Sequence, residues 1–427
     1  MILRNLSIAL IFTALTSSAF ANDNAYTHNF IAEYSASIYY ELVEFRRDLF
    51  RHPEASGEEK RTSAQVAKYL TDLGLEVKTN VGGYGVVGIL KGGKKGKRIA
   101  WRADMDGAKF EHSHSDGEEF GDSDVGHVCG HDVHTTIGVG IANVLSQKRE
   151  HLAGEVYFLF QPAEENQLGA KAMISDGLFD LIKPDEIYAA HVAPMETGVI
   201  STRPGNLFAH ARRMKVSFNG TDDREGLTSA VTSIMNSLVH IQSPAKFNQL
   251  QNVVDPDIGL SNPNSIYTDY VMFSGNPSSN QRGQNLEFQT EIFVTSLEEL
   301  TFVEQKIKQM IGNTKYSARF RSVQYFHDRE GVNNDSALVQ STTTALRDLY
   351  GEEVESINYG QIPYSSEDFG HFQRTVPGVY FFLGASNAKL GINAFPHMPG
   401  FEVDETSIKV GVSYFSSLII DRASSSK

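Results

Sequence analysis

Val156-Tyr-Phe-Leu-Phe160-Gln-Pro-Ala-Glu164-Glu165 carries an apolar run directly into a pair of carboxylates. A short, continuous apolar run suits a strand buried on both faces, and the acidic pair then stands at that strand's end. Three more such runs occupy 84–90, 98–103 and 186–191. A helix beginning near Asp132, with Ile137, Ile141 and Val144 inward, separates two of them. Two helices precede the strands. The first, 33–52, repeats Ile38, Leu42, Phe45 and Leu49 and stops at Pro53; the second carries Val66, Leu70 and Leu73 and stops at Gly74. Strands alternating with helices imply an α/β layered domain.

The character changes near residue 212. The order becomes strand (213–219), helix (226–242), strand (266–273), strand (286–294), helix (298–312), strand (316–325), the β-α-β-β-α-β order of a ferredoxin-like unit. The polar stretch 244–265 inside it reads as a long loop. Beyond residue 328 helix and strand alternate again, with an apolar strand at 378–384, and the Ser-rich end, Ser424 to Ser426, reads as frayed. The expectation is one discontinuous α/β sheet domain, 22–211 and 328–427, with an inserted ferredoxin-like α+β domain, 212–327, serving as a lid or dimerisation surface. A chain of 427 residues exceeds what a single core supports, which agrees with two domains.

Hydrophobic residues at 41% and charged residues at 21% are ordinary for a folded soluble protein. A formal net charge of -14 argues against nucleic acid or an anionic membrane as the main partner. Arg4, the apolar run Leu6 to Leu15 and the small-x-small site Ala19-Phe20-Ala21 read as an export signal (1–21), too short to span a bilayer. The expected location is a periplasm or the outside of the cell, with no membrane attachment after cleavage. Cys129 is the only cysteine, so the chain has no internal disulfide; a lone thiol in an oxidising compartment is either buried and inert or engaged.

Four clusters carry residue types suited to chemistry: Arg102-Ala-Asp104-Met-Asp106, Gly126-His-Val-Cys129-Gly-His131-Asp132-Val-His134, Gln161-Pro-Ala-Glu164-Glu165 and Ala190-His191-Val-Ala-Pro194. Each begins where a strand ends or in the loop to the next helix, the region where open α/β sheets build their sites. Cys129 and His131, two apart in a glycine-containing loop, can bind one ion or two adjacent ions. Glu164 and Glu165 cannot both point the same way from an extended segment, so one can bind metal while the other faces a bound water.

These strings, with Ser366-Glu367-Asp368-Phe369, the strand Pro377-Gly-Val-Tyr-Phe-Phe-Leu-Gly384 and Pro396-His397-Met-Pro-Gly-Phe401, resemble the amidohydrolase branch of the aminoacylase/carboxypeptidase metallopeptidase family. That branch includes indole-acetyl-amino-acid hydrolases, hippurate hydrolases and N-acyl-amino-acid deacetylases. The resemblance implies two divalent ions, zinc or manganese, held by Cys129, His131, Glu165, His191 and His397, with Cys129 bridging. It implies Glu164 as general base and Asp104 as a carboxylate that orients a ligand, and an N-acyl amino acid or small peptide as substrate. A homodimer is common among such relatives.

The chain also departs from the pattern. Arg102 stands where other branches place a ligand histidine. Val216-Ser-Phe-Asn-Gly-Thr-Asp-Asp-Arg224 lacks the Gly-Gly-His-Ala-type loop of the smaller domain, and Asn280-Gln-Arg-Gly replaces its Asn-x-Ile-Pro segment, with Arg282 as a substitute positive group. These departures keep open a non-catalytic descendant that retains the metal site. His112 and His114 read as solvated, His127 and His134 as supports of the metal motif, and Tyr364 as part of a packed turn. Gly83-Tyr-Gly85-Val-Val-Gly88 precedes a strand rather than a helix, so it is not read as a dinucleotide loop.

Overall fold

The structure, a computed structural model, describes residues 27–109, 124–329 and 331–425. The expected signal (1–21) and the loop with His112 and His114 lie outside those residues. The principal elements begin with helices α1 (Tyr39–Arg51) and α2 (Lys60–Asp72). A hairpin follows, β1 (Glu76–Val81) and β2 (Gly85–Lys91), and then β3 (Lys94–Asp104), α3 (His131–Gln147), β4 (Ala153–Gln161), β5 (Glu186–Glu196) and the short β6 (Ile200–Thr202). The inserted part comprises β7 (His210–Asn219), α4 (Arg224–Leu238), β8 (Val271–Phe273), β9 (Ser278–Arg282), β10 (Asn285–Val294), α5 (Leu297–Gly312) and β11 (Phe320–Arg329). The chain then returns through α6 (Ser336–Tyr350), β12 (Glu355–Ile357), β13 (Gly378–Ser386) and α7 (Thr406–Ser424).

The large sheet has eight strands in the order β1-β2-β4-β3-β5-β13-β6-β12. Its centre, β4-β3-β5-β13, is parallel, and β1 and β2 close one edge antiparallel. On β4 the residues alternate between two cores: Phe158 and Phe160 face one, with Trp101, Phe381 and Phe415, while Tyr157 and Leu159 face the other, with Phe369, Phe372 and Tyr380. That two-sided burial is why the sequence shows an unbroken apolar run instead of alternation. Helix α3 is buried over every residue from His131 to Leu145. A Cβ on Gly140 would lie 2.5 Å from Val412 Cγ2, so only glycine lets α3 approach α7 this closely.

The inserted sheet runs β8-β10-β7-β11, with β9 added along the edge of β10, and all its pairings are antiparallel. Leaving β9 aside, that is the ferredoxin-like strand order. Helices α4 and α5 bury Leu227, Val231, Val303 and Ile307 against Met214, Val216 and Phe288. Three boundaries differ from expectation. The first helix stops at Leu238, ahead of Pro244; the second strand is only Val271–Phe273; and Ser317–Arg319 forms a 3₁₀ turn before β11.

The stretch 244–265 is not an unstructured loop. It contains a helical turn, Pro244–Phe247, and a 3₁₀ turn, Leu250–Val254, and it seats Phe247 and Val253 among Tyr267, Tyr270, Met272 and Phe293. Its polar composition hid two anchors. Tyr270 Oη donates to Gln361 O (3.1 Å) and Gln361 N donates to Tyr267 O (2.9 Å), tying this small core to the returning chain. Helix α7 continues through Ser424, while Ser426 lies outside the described residues. Among the described residues no helix is long and apolar enough to cross a membrane.

Phe247 is fully buried, so Phe247→Ala is expected to destabilise the protein by about 3–5 kcal/mol, read as a lower urea midpoint. An unchanged midpoint would show that 244–265 does not pack this way.

Candidate metal centre

The carboxyl ends of the parallel strands meet at one edge, where Asp104 of β3 pairs in register with Gln161 of β4. Cys129 and His131 arrive from the loop before α3. Between them Gly130 adopts φ +89°, and a Cβ there would lie 2.4 Å from Val192 Cγ2 on β5. Glycine therefore both turns the chain and lets this loop lie against β5, which carries His191. His397 comes from the long segment after β13, held by its own N–H donating to Val128 O (2.8 Å).

The hydrogen bonds fix which nitrogen each imidazole offers. His131 Nδ1 donates to Asp106 O (2.8 Å), leaving Nε2 as a bare acceptor. His191 Nδ1 donates to Val192 O (2.7 Å), leaving Nε2 beside Cys129 Sγ at 3.2 Å. His134 is different: its Nε2 accepts from Val192 N (2.9 Å) and its Nδ1 donates to Asp104 Oδ1 (2.6 Å), so neither nitrogen is free to ligate.

Two donor triads, Cys129–His131–His191 and Cys129–Glu165–His397, each have their ligand atoms within 4.8 Å of one another, and they share Cys129. His131 Nε2 and Glu165 Oε1 are buried without a hydrogen-bond partner and lie 3.9 Å apart. Buried polar atoms are ordinarily satisfied, so an orphaned nitrogen facing an orphaned oxygen fits a shared cation. Glu164 Oε2 lies at the same 3.9 Å from His131 Nε2. Glu164 and Glu165 stand in a turn instead of an extended segment, so both reach the same space, contrary to the alternation expected of a strand.

Electrostatics points the same way. Burial, with Glu367 and Asp368 nearby, holds the Glu164 carboxyl well above the usual range. Burial pushes Glu165 up to about 7 and raises the Cys129 thiol. Burial, together with His134, depresses His191, and burial with His131 depresses His397. His131 is raised despite burial, which opposes it, because Asp104 is close. These shifts share one origin: a dry cluster of acids whose charge exceeds that of the single guanidinium, Arg102, buried among them. Divalent cations bound by these donors would balance it.

Arg102 is not a ligand. It is 2% exposed and donates to Gln161 Oε1 (2.9 Å), Asp104 Oδ2 (2.5 Å), Glu367 Oε1 (2.9 Å) and Asp368 Oδ1 (3.2 Å). Both Asp104 oxygens are thus committed, one to Arg102 and one to His134. Asp104 makes no hydrogen bond to a ligand side chain; it steadies the strand of His191 through His134 and Val192 N. Glu367 and Asp368 also bond Tyr380 Oη (2.5 Å) and Gln161 Nε2 (2.7 Å), which leaves them unsuited to a further ion. His127 is buried with neither ring nitrogen bonded. Sequence reasoning gave no role to Asp106, which touches His131, nor to Gln167, whose Nε2 donates to Glu164 Oε1 (2.9 Å). Only their proximity in the fold reveals them.

At the altered tip of the inserted domain, Arg319 donates to the carbonyls of Asn219, Asp222 (each 2.8 Å) and Gly220 (2.9 Å). Asp223 caps α4 and accepts from Tyr316 Oη (2.6 Å). The tip is bonded to itself. Arg282 lies on β9 with its side chain 76% exposed, 3.6 Å from Glu287. Tyr364 meets Phe293 edge to face and donates to Asn248 Oδ1 (3.0 Å), bridging to the inserted domain.

The profile of Peptidase family M20/M25/M40 matches residues 100–421. A Synechocystis protein named as a hydrolase is 34% identical over 391 residues, covering 87% of this chain and 93% of that one. An N-acetyldiaminopimelate deacetylase of Exiguobacterium sibiricum is 30% identical over 376 residues, covering 86% and 95%. Among solved structures, a Bacillus subtilis protein described as a dinuclear metal binding peptidase superposes with a TM-score of 0.71 at 23% identity, covering 91% of this chain and 99% of that one. That last likeness speaks for the fold.

The excess of buried acid predicts a pH signature. In metal-free protein Glu165 titrates at about 7 when folded against 4.5 ordinarily, so the folded state holds the proton more tightly than the unfolded one. Stability of metal-free protein should therefore fall as pH rises from about 4.5 through 7. The gain in melting temperature on adding zinc or manganese should grow over the same window, because the donors must shed protons to bind. A gain that is flat or shrinks with pH would contradict this account.

Proposed function

The chain belongs to peptidase family M20/M25/M40, and we propose that it is an exported two-metal hydrolase of N-acyl amino acids and small peptides. Membership makes it a metal-dependent hydrolase of amide bonds. The observation that carries the finer reading is the pair Glu164 and Glu165, both 3.9 Å from the bare Nε2 of His131, with Cys129 common to two donor triads. Cys129, His131 and His191 would hold one ion, and Cys129, Glu165 and His397 the other. Bound zinc or manganese supplies a water of lowered pKa and a polarised scissile carbonyl.

The chain's own residues do the rest. Glu164 also lies within ligand distance of His131 and Glu165; in this reading it is not a ligand, and its carboxylate would take the proton of the attacking water and return it to the departing amine. In the metal-free protein, burial and the nearby Glu367 and Asp368 hold its carboxyl well above the usual range. Gln167 holds one Glu164 oxygen and leaves the other to face the substrate. N-acyl amino acids are favoured as substrates because two of the similar proteins are named as N-acetyldiaminopimelate deacetylases. Export is supported by Arg4, the apolar run and Ala19-Phe20-Ala21. A homodimer through the inserted domain belongs to the same proposal, supported by Leu297 and Phe302, which are about half exposed on α5.

Glu164→Gln is expected to lower kcat by about a hundred- to ten-thousand-fold on N-acetyl amino acids while metal content stays at the parent level. Undiminished turnover would remove Glu164 from its role as base.

A further inference from the structure

We propose that Glu59 and Asp106 form a carboxylate cradle that aims Glu164 and Glu165, and that both are positioning residues of the metal centre. The proposal rests on the reading of Glu164 as base and Glu165 as ligand. It begins with strain. The turn after β4 places two non-glycine residues, Ala163 (φ 55°) and Gln167 (φ 62°), in the left-handed region on either side of the acidic pair. Such residues cost on the order of 1–3 kcal/mol each and persist only where the surroundings over-determine them.

The surroundings are two buried acids. Ala163 N donates to Glu59 Oε1 (2.8 Å), Glu164 N to Asp106 Oδ1 (3.1 Å) and Glu165 N to Asp106 Oδ2 (3.0 Å). Three successive amides thus enter two carboxylates brought from distant parts of the chain. Glu59 is 0% exposed and Asp106 1%, so these amide-to-carboxyl bonds form away from water, where they are strong and directional. The cradle is itself held: Gly57 N donates to Glu59 Oε1 (2.7 Å) and Ser56 Oγ to Asp106 Oδ2 (2.6 Å).

Asp106 also lies 3.3 Å from His131 Nδ1 through Oδ1, while its backbone oxygen accepts from that same nitrogen. One residue therefore sets both the ring of His131 and the backbone of the acidic pair, which fixes the separation between them. A chemical consequence follows. The amides of Ala163, Glu164 and Glu165 enter the cradle, so these three residues supply no backbone donor for an oxyanion.

The test uses metal-loaded full chain and the variants Glu59→Ala, Glu59→Gln and Asp106→Asn. The readouts are metal release to a coloured chelator and the separate values of kcat and KM on an N-acetyl amino acid. Glu59→Ala should release metal faster and lower kcat, each by about 10- to 100-fold, with KM little changed. Glu59→Gln keeps an acceptor oxygen for Ala163 N and should recover most of both losses. Asp106→Asn leaves one acceptor oxygen where two served, and should also release metal faster. A folded Glu59→Ala equal to the parent in release and kcat overturns the proposal, as does a Glu59→Gln as impaired as the alanine variant. Should Glu59→Ala fail to fold, parent-like release from Asp106→Asn overturns it. Metal release is read without turnover, so failure of the cradle is distinguishable from failure of Glu164 as base.

Discussion

Asp104, Asp106, Glu164, Glu367, Asp368 and the Cys129 thiol share a dry space with one guanidinium, that of Arg102, and the half-buried Glu165 adjoins them. Carboxylates are rarely buried unless paired, so their placement constrains everything near them. Arg102 answers for three of the acids, Asp104, Glu367 and Asp368, through a planar fork that no lysine could reproduce. The Asp106 carboxylate is satisfied by backbone amides and a serine. What remains, Cys129 and Glu165 with His131, His191 and His397, is the part of the cluster suited to divalent cations, with Glu164 beside it.

The fold exists to hold that arrangement still. Four parallel strands deliver their carboxyl ends to one edge, and a helix buried along fifteen residues sets His131 and His134 above them. Even the supports are relayed: Asp104 reaches the strand of His191 only through His134. The inserted domain follows a different logic. Its tip spends its polar groups on Arg319, Tyr316 and the cap of α4.

Much of this was legible in the sequence, for physical reasons. Strands covered on both faces leave continuous apolar runs, so β3, β4, β5 and β13 were visible, and ligand-type residues at their ends marked the edge where a site forms. The inserted order of strands and helices was also readable from periodicity. The stretch 244–265 was not, because two apolar anchors, Phe247 and Val253, do not register as a pattern among polar residues. Nor was the hairpin strand β1, which is mostly exposed. Glu59 was invisible as part of the site, since a glutamate in a polar loop looks solvated until the fold carries it under Ala163. The reading of Glu164 and Glu165 as an alternating pair failed because a turn, with Ala163 and Gln167 left-handed, replaces the extended backbone it assumed.

The central claim is that this donor set holds two cations across one thiolate, and anomalous X-ray scattering from crystals of metal-loaded protein tests it most directly. Data collected at the absorption edge of the loaded metal should show two peaks, one among Cys129, His131 and His191 and the other among Cys129, Glu165 and His397, with the Cys129 sulfur between them. A single peak, or density placed instead between Asp104 and His134 or beside Glu367 and Asp368, would contradict the account.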